Sequence, residues 1–176
     1  AGFTHWAKLN NLKQAAKTMN FLTEHGISSY GELESKLTAV SARRDTAHAE
    51  IKRIESRSAE LALVMKHAGT YRQLKPLYER YRKSNDKEKF LRGHESEIIL
   101  FEAAARELKR LGAVPLPTTE SMKTELANLN AEKERLLAEY KAARTEAQEY
   151  ETVKQNVDGL LTVPKRSAVN LNYDLE

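Results

Sequence analysis

Apolar residues recur along two stretches of the chain in unbroken alternating steps of four and three. Over residues 33–68 the ladder runs Leu33, Leu37, Val40, Arg44, Ala47, Ile51, Ile54, Ser58, Leu61, Met65, Ala68. Over residues 122–161 it runs Met122, Leu126, Leu129, Lys133, Leu136, Tyr140, Ala143, Ala147, Tyr150, Lys154, Val157, Leu161. This spacing holds one narrow apolar stripe toward a partner helix, the sequence mark of a coiled coil. The predicted fold is all-α: a long antiparallel coiled-coil hairpin, a packed N-terminal helix, and a small helical cap between the long helices. With matched ends, residue numbers facing one another would sum to roughly 190. Ser58 then falls near Lys133, and Arg44 near Glu146.

Breakers and caps set the expected bounds of a single elongated helical domain over residues 1–161. Helix one spans 4–25, with Trp6, Leu9, Leu12, Ala16, Met19 and Leu22 at helical spacing and Gly26 just past its end. It should fold back on the first half of helix two, with Trp6 as an anchor. Ser29 and Glu32 fit a capping box opening helix two, which spans 30–68 and closes at Gly69. A helical connection covers 70–112. Within it, Tyr71, Leu74, Tyr78 and Tyr81 have helical spacing, although Pro76 should start or kink that helix. Residues 84–86 form a break and cap, 87–92 a short turn of helix before Gly93, and 98–111 another helix ended by Gly112. Pro115 and Pro117 stiffen the next linker. The last helix spans 118–158, ended by Gly159 and Pro164, and 162–176 form a flexible tail.

Composition removes several classes of function. With 40% hydrophobic and 31% charged residues, thin solvated helices fit better than a thick core. The absence of cysteine excludes disulfides, thiolate metal sites and thiol nucleophiles, and is compatible with a cytoplasmic setting. No apolar run is long enough to span a bilayer. The five histidines are scattered without metal-ligand spacing, so neither a metal nor another cofactor is expected. There is no phosphate-binding glycine loop and no nucleophile elbow. The paired carboxylates lie beside lysines on solvated faces, and no catalytic residue is assigned. The chain opens on Ala1, which suggests an excised domain or a processed fragment.

Charge points elsewhere. The net charge is +4. Residues 71–92 alone hold eight bases, Arg72, Lys75, Arg80, Arg82, Lys83, Lys87, Lys89 and Arg92, against the acids Glu79, Asp86 and Glu88. Bases can neutralise phosphates, and Tyr78, Tyr81 and Phe90 interleaved among them can stack on unpaired bases. The candidate nucleic-acid-binding set is therefore Arg72, Lys75, Tyr78, Arg80, Tyr81, Arg82, Lys83, Lys87, Lys89 and Arg92. The spacing of Tyr71, Leu74, Tyr78 and Tyr81 favours rings that pack inward, with the basic groups staying solvated. A second basic set, Arg43, Arg44, Lys52, Arg53 and Arg57, is interrupted by Glu50, Glu55 and Glu60 and is better read as a mixed-charge face.

The run from Trp6-Ala7-Lys8-Leu9-Asn10-Asn11-Leu12 through Phe21-Leu22-Thr23-Glu24-His25-Gly26-Ile27 resembles the segment that follows the nuclease domain in bacterial conjugative relaxases, the mobilisation nucleases of plasmids and integrative elements. Ser29-Tyr30-Gly31-Glu32-Leu33, Phe90-Leu91, His94-Glu95-Ser96-Glu97-Ile98 and Val153-Lys154-Gln155-Asn156-Val157-Asp158-Gly159-Leu160-Leu161 resemble the same C-terminal region, in the same order. The resemblance implies a non-catalytic domain downstream of a DNA-nicking enzyme. Its implied partners are single-stranded or origin DNA and proteins of the relaxosome or transfer machinery, with no membrane insertion. No histidine triad or tyrosine nucleophile of that family can be matched here. The alternatives are a structural or scaffold coiled coil, and a nucleic-acid-binding arm of an unrelated enzyme. Monomer and homodimer are both compatible with the pattern.

Overall fold

The computed structural model describes residues 2–162, with side chains from Asn11 onward. The predicted tail beyond Thr162 and the side chain of Trp6 lie outside the described residues. The described chain is all-α, with four helices: α1 (Gly2–Glu24), α2 (Tyr30–Lys83), α3 (Lys87–Arg110) and α4 (Thr119–Leu161). It divides into two compact units, one formed by the residues up to Asp45 and from Tyr140 onward, the other by Thr46–Glu139.

The first unit packs α1, the start of α2 and the end of α4. Its core is Leu33, Val40, Ala147, Tyr150 and Val153, with Phe21, Leu22, Ile27, Leu37 and Val157 against it. Entry from α1 is set by a glycine turn. Gly26 has φ +59°, Ile27 N–H donates to Leu22 O at 2.8 Å and Gly26 N–H to Thr23 O at 3.1 Å. This Schellman geometry ends α1 and brings Leu22 and Ile27 together against the core. The capping box forms as expected: Glu32 N–H donates to Ser29 Oγ at 3.2 Å, while Glu32 Oε2 accepts from Ser28 and Ser29 N–H at 2.7 and 3.2 Å. Across the unit, Tyr30 donates to Asp158 Oδ1 at 2.6 Å, and Lys154 Nζ donates to the Tyr30 hydroxyl at 2.6 Å and to Asp158 Oδ2 at 3.1 Å.

Helix α1 corrects one expectation. Of the predicted stripe, Leu22 packs against the core, but Leu12 and Met19 are 67% and 63% exposed. Thr18 is buried instead, its hydroxyl accepting from Asn156 Nδ2 at 3.0 Å. A threonine can be buried there because its polar atom has a partner.

The second unit packs the rest of α2, all of α3 and the first half of α4 around Leu61, Val64, Ala68, Leu108, Ala113 and Met122. A second glycine turn, at Gly112 (φ +68°), repeats the first: Ala113 N–H donates to Leu108 O at 2.9 Å, and both residues enter the core. Thr118 then caps α4, accepting from Ser121 N–H at 3.1 Å.

Within each unit α2 and α4 run antiparallel with the ladders facing inward. All positions of the first ladder are buried or half-buried, as are those of the second up to Val157; Leu161 is exposed. The facing numbers add to about 190 in both units: Tyr30 meets Asp158 and Arg43 meets Glu146 in one, Glu55 meets Lys133 and Arg72 meets Thr119 in the other. The polar partners differ in detail from those expected. Lys133 extends its amine to Glu55 at 2.7 Å, as a long side chain at a seam can carry its charge outward. Arg43 takes Glu146, and Arg44 lies 2.8 Å from Asp45 and 3.9 Å from Glu151.

The expected end of helix two at Gly69 is also corrected. Helix α2 continues through Gly69 and Pro76 to Lys83. An interior proline costs roughly 3 kcal/mol of helix stability, but the apolar stripe runs on through Tyr71, Leu74, Tyr78 and Tyr81, all half-buried. Pro76 itself is exposed, so the carbonyl that it leaves without a donor is on the solvent side. The two helices expected over 87–92 and 98–111 both form, joined within α3 across a kink at His94 (φ −141°, ψ 27°), next to Gly93. Helix α4 likewise passes through Gly159 to Leu161.

Candidate nucleic-acid interface

The basic segment folds as the turn between α2 and α3. Ser84 N–H donates to Tyr81 O at 3.1 Å, ending α2. Asp86 then caps α3 by accepting from Lys89 N–H at 3.0 Å, and its own N–H lies 3.3 Å from Ser84 Oγ. One acid of the segment is thereby committed to the turn. Arg72 meets Thr119 and Pro117 at the start of α4, so α2 runs eleven residues past that point, roughly 16 Å at 1.5 Å per residue.

Aromatic rings supply the interior of this projecting pair. Phe101, 6% exposed, is held between Tyr71 and Tyr78 at centroid distances of 4.8 and 4.1 Å. The series continues from Tyr78 to Tyr81 (5.9 Å), Tyr81 to Phe90 (6.1 Å) and Phe90 to His94 (4.8 Å). Tyr78 also donates to Glu102 Oε1 at 3.3 Å. Burial, with the Glu102 carboxylate nearby, raises its phenol above the ordinary value. Packing of the rings between helices, the arrangement that the spacing favoured, holds for Tyr71 and Tyr78. Tyr81 and Phe90 lie farther along, half-buried.

The cations separate into three groups. Arg72 is structural: it donates to Thr119 Oγ1 at 2.8 Å and to the Pro117 carbonyl, tying α2 to the linker before α4. Lys75 sits 4.0 Å from Glu79, and Arg80 lies over the Phe90 ring at 5.9 Å. Arg82, Lys83, Lys87, Lys89 and Arg92 are exposed and have no carboxylate within 4.0 Å among the described residues. Lys89 and Phe90, with Ser84, Asp86, Gly93 and His94, line a shallow open concavity of about 320 Å³. The arginines of the second basic set behave differently, while its Lys52 is exposed with no carboxylate within 4.0 Å among the described residues. Arg43, Arg44, Arg53 and Arg57 all meet carboxylates, Arg57 reaching both Glu125 at 2.7 Å and Glu60 at 3.6 Å.

Two contributors were missed in the sequence. Phe101 is the ring that the tyrosines clasp, and His94 is the residue at which α3 bends. Phe90, His94, Phe101 and Leu108 continue the alternation of four- and three-residue steps when Glu97 or Ile98 is counted between them, so the signal was present. Among the described residues no His, Asp and Glu group could hold a metal, and no helix is long and apolar enough to cross a membrane. No protein-family model matches the chain, and neither curated proteins nor solved structures include a match.

Proposed function

We propose that this chain is a non-catalytic helical region of a conjugative relaxase, and that its basic α2–α3 turn holds single-stranded DNA. One observation carries the nucleic-acid part: five exposed cations, Arg82, Lys83, Lys87, Lys89 and Arg92, have no carboxylate within 4.0 Å among the described residues, whereas the arginines earlier in α2 meet carboxylates. Unpaired cations are free to displace the counterions of a phosphate backbone. Tyr81 and Phe90 stand among them, and Arg80 already lies over Phe90. Rings of this kind stack on bases that are not paired, which favours a single strand over a duplex. The relaxase setting rests on the resemblance of residues 6–27 and the shorter segments after them. In that setting the chain follows the nuclease, binds rather than cuts, and offers its helices to relaxosome or transfer proteins.

The test is fluorescence anisotropy with a mixed-sequence single-stranded oligonucleotide, comparing the native chain with the R80E/R82E/K83E variant. Saturable binding that weakens at least about tenfold in the variant is expected. Unchanged affinity would remove the turn as the site, and no binding at low salt would remove the function. The family assignment is tested separately by the parent reading frame. A histidine-rich nuclease motif before Ala1 is expected, and its absence overturns the assignment.

The second reading is a scaffold coiled coil, favoured by the ion pairs that repeat one register and by the inward-packed rings. A dimer without DNA affinity would be its signature.

A further inference from the structure

The concavity at the α2–α3 turn has a carboxylate in its wall. Ser84, Asp86, Lys89, Phe90, Gly93 and His94 surround about 320 Å³. That is the lower end of ligand-pocket size, room for one base. A phosphate placed there would be repelled by Asp86. The rest of the lining suits a base better than a phosphate.

Phe90 supplies the stacking face. It is half-buried and held in the ring series by Tyr81 at 6.1 Å and His94 at 4.8 Å, so the ring is in place before any base arrives. Gly93 leaves its part of the wall bare: a Cβ built there meets no atom within 4 Å. Asp86 and Lys89 bring opposite charges to one lining without pairing, since no cation lies within 4.0 Å of the Asp86 carboxylate among the described residues. Asp86 Oδ1 accepts from Lys89 N–H at 3.0 Å as the helix cap. A carboxylate has about four lone-pair sites on its two oxygens, so both oxygens can still accept.

An unpaired base presents its Watson–Crick edge. Guanine alone has two adjacent N–H donors there, N1 and N2, with the O6 acceptor beside them. The two donors match the two oxygens of a carboxylate, and O6 matches an ammonium group. Adenine and cytosine offer one amino donor. Thymine sets its single N–H between two carbonyls, which a carboxylate repels. We infer that this concavity is a guanine subsite of the single-strand site, with the base on Phe90, N1 and N2 donating to Asp86, and Lys89 donating to O6. The inference rests on the nucleic-acid reading above and adds a base preference to it.

Anisotropy titrations of the whole chain test it, with a short oligothymidine and the same strand carrying one central guanine, adenine or cytosine. The guanine strand should bind at least about fivefold more tightly than oligothymidine, and more tightly than the other two. D86N retains the helix cap, since asparagine caps as well as aspartate, and sets a donor where guanine needs an acceptor. G93L fills the concavity from a position with open space around it. In each variant the helical circular dichroism should stay native and the guanine preference should fall below about twofold. Equal binding of all four strands, preference for another base, or a guanine preference that survives either folded variant overturns the subsite and leaves the nucleic-acid reading standing. No saturable binding of any strand overturns both. Guanosine monophosphate is the last probe: binding as tight as that of the guanine strand would assign the concavity to a free nucleotide and overturn its place in the single-strand site.

Discussion

Gly69 sits inside α2 with open space around it: a Cβ built there meets no atom within 4 Å. Its backbone is helical, so the freedom of glycine is only a loss to the helix. Gly69→Ala should therefore stabilise the chain by about 0.5–1 kcal/mol, a rise of roughly 2 °C in thermal midpoint, read by circular dichroism. The same change at Gly26 should destabilise, because φ +59° is strained for any residue with a Cβ. Acid sensitivity is also a residue-scale property. Glu32 is held below the ordinary glutamate value of 4.5, chiefly by the Ser28 N–H and hydroxyl. Glu55 is held below it by the Lys133 amine, and Asp158 below the ordinary aspartate value of 3.8 by Tyr30 and then Lys154. Each of these folded-state values is depressed. Their stabilisation is thus fully present above the ordinary values and is lost as pH falls through the lowered ones. Thermal midpoints should fall as the pH drops below about 4. Glu32→Gln should lower the midpoint at pH 7 and flatten the acid limb; an unchanged limb would remove Glu32 from this account.

At the scale of elements, the ring series decides how α3 is held on α2. Phe101→Ala should cost about 3–5 kcal/mol, measured by urea unfolding, because it removes a buried ring clasped on two faces. A cost near 1 kcal/mol would mean that the tyrosines close over the gap. The register of α2 on α4 has its own test. Glu55→Lys should lower the thermal midpoint by setting two amines together, and E55K/K133E should recover most of the loss. The pairing of these helices was legible in advance, since the ladder positions from Leu33 to Val157 all turn inward to some degree. The length of α2 was not, because Gly69 and Pro76 are local breakers and the stripe through Tyr71, Leu74, Tyr78 and Tyr81 outweighs them only when Phe101 is present to cover it. The packing face of α1 was hidden for a similar reason. Thr18 becomes a core residue only through Asn156, 138 positions away in the sequence.

At the scale of the whole molecule, charge is the property that matters. The surplus of five over residues 71–92 exceeds the +4 of the entire chain. That concentration could be read directly from the sequence. Which cations are free could not, since Arg72 is occupied by Pro117 and Thr119 beyond an intervening helix. Five free cations predict a log–log salt slope of roughly −3 to −4 for single-stranded DNA, at about −0.7 per neutralised phosphate. Replacing Arg82 and Lys83 together should make that slope shallower by about 1.4. A slope near zero would detach the binding from these residues.

The turn at residues 84–86 also makes this chain divisible. It is non-helical, flanked by exposed Lys83 and Lys87, and belongs to neither core. Trypsin should cut there before it cuts within the helices. Each core, however, draws on both sides of the cut: Leu61, Val64 and Ala68 with Leu108, Ala113 and Met122 in one, Leu33 and Val40 with Ala147, Tyr150 and Val153 in the other. The nicked fragments should therefore co-elute as one species, and the two halves, expressed as separate polypeptides, should reassemble as a complementing pair.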